Sequence, residues 1–90
     1  MNGITLVTKD GQRIEMDDIA LPSLHCVKVV EDIIGLSTIW SSILTADTSE
    51  VTIMNGEEGI MTLHNVAIDS VQAITNPDGS LTAHFYMRER

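Results

Sequence analysis

The residues best able to do chemistry are a cysteine and three histidines, and two of these are neighbours. His25-Cys26 stands in LHCVKVV (Leu24–Val30), with His64 and His84 further along. A thiol beside an imidazole can form a nucleophilic pair, because the base helps to make the thiolate. Three imidazoles can also make a zinc centre. Spacing argues against both. Val27, Val29 and Val30 favour a strand, and strand neighbours point to opposite faces, so His25 and Cys26 cannot pair with each other. Cys26 could meet only His64 or His84, and an apolar strand is a poor place to hold a thiolate; the expected state is a buried, inert thiol. His64 and His84 could approach only on neighbouring strands, and no two histidines have the spacing of a metal motif. GEEG (Gly56–Gly59) lacks both the lysine and the following helix of a phosphate loop, and no Gly-x-Ser-x-Gly elbow is present. The residues therefore predict no catalytic set, no metal site and no cofactor.

The elements that carry these residues read as one α+β domain over 1–90, mostly antiparallel β. ITLVTKDGQRIEM forms an N-terminal hairpin turning at Asp10-Gly11. Leu24–Val30 is a central strand, apolar on both sides and so expected to be covered on both. In EDIIGLSTIWSSIL the apolar residues Ile33, Leu36, Trp40, Ile43 and Leu44 recur at helical spacing, predicting one short helix at about 32–44 with Asp32 as N-cap. Its glycine, serines and threonines are poor helix formers, so packing must hold it. The rest reads as a four-strand β-meander. In its last hairpin Asn76-Pro77-Asp78-Gly79 suits a type I turn with a G1 bulge, which pairs Asn76 with Ser80. That register puts Val71, Ala73 and Thr75 beside Phe85, Ala83 and Leu81, and Ser70, Gln72 and Ile74 beside Tyr86, His84 and Thr82. The expected core is Ile4, Leu6, Ile14, Val27, Val29, Ile33, Leu36, Trp40, Ile43, Val51, Ile53, Leu63, Val71, Leu81 and Phe85. Exposed edges are expected at Ile4–Thr8 or Val51–Asn55.

The chain has 90 residues and a 43% apolar composition, enough for one modest core. No apolar run is long enough for a membrane span, and the first residues lack the pattern of a secretory leader. A lone cysteine makes no intramolecular disulfide, so a cytoplasmic setting is expected. Thirteen acids against five bases give a formal charge of −8. Such a surface repels phosphate backbones, so no nucleic-acid partner is expected, and a basic protein would be attracted. Ser70, Gln72, Ile74, His84 and Tyr86, with Ile68, make a mixed polar and aromatic patch that suits protein contact, and they are the candidate interaction surface.

The order of hairpin, strand, one helix and closing strands, carried by EDIIGLSTIWSSIL and VQAITNPDGSLTAHFYMRER, resembles small β-rich structural proteins of bacteriophage and prophage tail and head–tail regions. The resemblance implies assembly through sheet edges into homo-oligomers, in the host cytoplasm or in a virion, without a cofactor. A soluble inhibitor that presents carboxylates to a basic protein, as some phage anti-defence proteins do, is the competing reading. It requires acids gathered on one face, whereas these are spread over turns and the helix start.

Overall fold

A computed structural model describes residues 2–90. Among these residues seven strands form one sheet: β1 (Asn2–Thr8), β2 (Arg13–Ala20), β3 (His25–Val30), β4 (Glu50–Asn55), β5 (Glu58–His64), β6 (Val66–Thr75) and β7 (Leu81–Glu89), and a single helix, α1 (Ile33–Thr45), joins β3 to β4. The sheet is antiparallel throughout, in the order β5-β4-β1-β2-β3-β7-β6. The α+β, mostly β class expected from the sequence is therefore observed. The four C-terminal strands form two hairpins rather than a continuous meander: β4 pairs with β1 and β7 with β3, while β5 and β6 lie at opposite edges. The central places in the sheet are taken by β1, β2 and β3, so the exposed edges are not Ile4–Thr8 or Val51–Asn55.

Only Asn65 separates the two edge strands in sequence. One residue cannot cross an open seven-strand sheet, so the sheet must curl until the end of β5 meets the start of β6. Asn65 makes that corner with φ of 55°, a left-handed conformation that asparagine tolerates better than most residues. The corner is stitched by Arg90 N–H to the Asn65 carbonyl at 3.0 Å and His64 N–H to the Glu89 carboxylate at 2.8 Å.

The core fills the inner face of the curl. Ile4, Leu6, Ile14, Met16, Ile19, Cys26, Val51, Ile53, Ala83, Phe85 and Met87 are all buried there. Helix α1 crosses this face, burying Ile43 and half-burying Leu36, Ile39 and Trp40. Asp32 caps it by accepting the Gly35 N–H at 3.0 Å, as its sequence predicts. The helix comes close to β3 at Gly35, where a Cβ would stand 3.3 Å from Val30 Cβ and would press that side chain back by a few tenths of an ångström. Thr38, Ser42 and Thr45 return their hydroxyls to carbonyls one turn back.

Four core expectations are corrected, and one of them, Leu81, is a half-buried residue at the start of β7 that stays outside the core cluster. Val27 is half-buried and Val29 is 49% exposed, because only the inner side of β3 is covered and the buried set is Leu24, Cys26 and Val30. Ile33 is 63% exposed, because the buried stripe of α1 runs through Ile39 and Ile43 instead.

Candidate functional site

The outer face of β3, β7 and β6 is a regular ladder. His25 pairs with Tyr86 and Tyr86 with Ser70; Val27 pairs with His84 and His84 with Gln72; Val29 pairs with Thr82 and Thr82 with Ile74. Strand alternation puts all nine side chains on the side away from the core. The register expected for the last hairpin is observed residue for residue, with Asn76 N–H on the Ser80 carbonyl at 2.8 Å and Gly79 at φ of 89°. Asn76 then braces the ladder's end through Thr82 Oγ1 at 2.9 Å. The candidate residues Ser70, Gln72, Ile74, His84 and Tyr86 thus share one face. Ile68 does not: the register shifts between Ile68 and Ser70, leaving Asp69 as the extra residue, and Ile68 pairs with the buried Met87 on the inner side. Asp69 holds the Nε of Arg88 at 2.6 Å.

Three members of this face were missed by sequence reasoning. His25, Val27 and Val29 join it because β3 pairs with β7, a long-range pairing that no local pattern announces. Opposite parity to Cys26 was the available signal. His25 Nε2 lies 2.8 Å from His84 Nδ1, so one ring donates to the other, and Tyr86 stacks on His25 with centroids 4.4 Å apart. The two imidazole centroids are only 5.0 Å apart, so the facing nitrogens lie nearly on the line joining the rings. That geometry suits a shared hydrogen. A metal would need about 2.0–2.1 Å to each nitrogen, and hence separated rings. Among the described residues no group of three or more His, Cys, Asp or Glu side chains is placed to hold a metal ion.

Cys26 sits on the other face, fully buried between Ile19 and Phe85. Burial pushes its thiol up from 9.0 to about 12. His64 lies on β5, at the far edge of the sheet order from β6. The thiol meets none of the imidazoles, and the three histidines do not converge.

Most of the acidic groups with resolved contacts serve the backbone around them. Asp17 accepts the Val29 N–H at 2.6 Å, beyond the last β2–β3 pair, and lies 3.8 Å from Lys28 Nζ. Asp10, Asp47 and Asp78 are held below the ordinary carboxylate range, first by the hydroxyls of Thr8, Ser49 and Ser80 respectively. Asp32 caps α1. Comparison with known proteins adds no relative: no family model matches the chain, and no curated protein or solved structure matches it either.

Proposed function

We propose that this protein acts by association rather than by catalysis, through the outer face of β3, β7 and β6 and the free edge of β6, with a second copy of itself as the partner. The observation that carries this reading is the ladder, which sets three ring side chains beside the exposed Val29 and Ile74 (49% and 56%) on one regular face. Its nine residues cover roughly 300 Å² at about 4.8 Å between strands and 6.7 Å between rows. A stable interface needs about 800 Å² per partner, so the face alone is too small. The adjoining β6 edge extends it: beyond Val66, whose N–H bonds the Thr48 carbonyl at 3.0 Å, this ten-residue strand pairs only with β7, so its other side is open to strand addition. A structural role in a bacteriophage or prophage particle is the setting we propose. Its support is a curled antiparallel sheet with one packed helix, which is fold-level analogy. The inhibitor reading has less support, because so many of the carboxylates are engaged in their own turns and caps.

The test is solution mass by light scattering across concentration at two salt levels. We expect a dimer or larger ring that survives salt, and a folded monomer whose thermal midpoint no longer depends on concentration when Val29 and Ile74 are both replaced by Lys. A wild-type protein that stays monomeric throughout would overturn self-association and turn the search toward a basic partner.

A further inference from the structure

The curl of the sheet encloses a second feature, separate from the association surface. Beneath α1 lies a cavity of about 310 Å³. Ile19, Ile53, Leu63 and Met87 of the sheet and Trp40 and Ile43 of the helix line most of it. Its polar lining is gathered at one end, where Thr8, Thr48 and Arg90 contribute. Backbone bonds draw these together: Lys9 N–H to the Asp47 carbonyl at 3.2 Å, Val66 N–H to Thr48 at 3.0 Å, and Arg90 N–H to Asn65 at 3.0 Å. Three acids near this end are already engaged, Asp10 by Thr8, Asp47 by Ser49, and Glu89 by the His64 N–H. The Arg90 guanidinium makes no hydrogen bond or ion pair among the described residues.

We propose that this cavity is a binding site for a single-chain amphiphile, with its alkyl chain among the apolar walls and its anionic head on Arg90. The volume corresponds to about ten waters at about 30 Å³ each. A methylene is of similar size, so a chain of about eight to ten carbons fits. Walls of this composition offer water few partners, whereas methylenes make dispersion contacts with every side of the space. The Arg90 guanidinium at the polar end selects for a carboxylate or similar head, a local attraction that acts against the repulsion of a chain of charge −8.

Trp40 is the only tryptophan and lines the cavity, so its emission reports occupancy directly. Hexanoate, octanoate, decanoate and decanol are titrated into the full chain below their aggregation limits. Saturable one-to-one shifts are expected, tightening about fourfold per added methylene up to decanoate. Arg90→Gln should weaken decanoate at least fivefold and leave decanol unchanged. Ala46→Leu, which adds bulk to the cavity wall at the helix end, should abolish the response in a protein that still unfolds cooperatively; Val51→Met does the same from the sheet if the first variant does not fold. No saturable response to decanoate, or one that persists in a folded cavity-filled variant, would overturn the proposal. Equal affinity for decanol and decanoate would remove the role given to Arg90.

Discussion

The burial of Cys26 makes a prediction about reactivity and about pH dependence. The side chain is 0% exposed, and burial lifts its thiol from 9.0 to about 12. At pH 8 about one unfolded chain in ten carries a thiolate, against about one native chain in ten thousand. Native labelling by a disulfide reagent should therefore run through unfolding, at least about a thousandfold slower than in urea-unfolded chains. The thiol also links stability to pH with a definite sign. Below pH 9 it is neutral in both states and contributes fully. Above that the unfolded chain ionises first, and stability falls until the folded value is reached. Between pH 8 and 10 the wild type should lose about 1.4 kcal/mol more than Cys26→Ala. The substitution itself should cost about 1 kcal/mol at neutral pH through the cavity it leaves. The two urea-unfolding profiles should then meet near pH 10. Prompt labelling of a natively folded sample at pH 8, or parallel pH profiles for the two proteins, would refute the argument.

Asp17→Ala should cost about 1–2 kcal/mol in urea unfolding, nearly all from the hydrogen bond to Val29, because the Lys28 pair is solvated and weak. Asp17→Asn should cost less, since an amide oxygen can still accept. Phe85→Ala, at a position with no exposure, should cost about 3–5 kcal/mol, whereas Ile33→Ala should stay within about 0.5 kcal/mol. Asp47 and Asp78 are held below 3.8, so their contribution is present above that value and lost as pH falls through the lowered folded value. Replacing both by Ala should flatten the decline of the thermal midpoint between about pH 4 and 2.

The elements were legible wherever their cause is local. The Asn76–Ser80 hairpin and its register follow from proline, aspartate and glycine in four consecutive positions, and Asp32 announces the start of α1 by its place before an apolar stripe. The candidate face was legible only on β6 and β7, because one turn sets their register. Its β3 third was not, because the β3–β7 pairing joins residues separated by well over half the chain and leaves no trace in either segment. Ile68 was misplaced for a similar reason: the bulge at Asp69 inverts parity, and nothing in VAIDSVQ marks it. The meander failed at HNV (His64–Val66), which reads like any tight connection between adjacent strands but turns the corner between the two edges of a curled sheet.

By itself, then, the sequence determined most of the strands, the helix, the turns at Asp10-Gly11 and Asn76–Gly79 and the separation of Cys26 from His25, all properties of backbone preference and side-chain alternation over a few residues; it did not show that β2 runs on through Asp17–Ala20. Tertiary structure alone decided which strands are edges, which face of β3 is covered, that His25 and His84 share a hydrogen, and that a cavity lies under α1. Those outcomes depend on how the sheet closes, which is set by the sum of weak contacts between residues far apart in the chain.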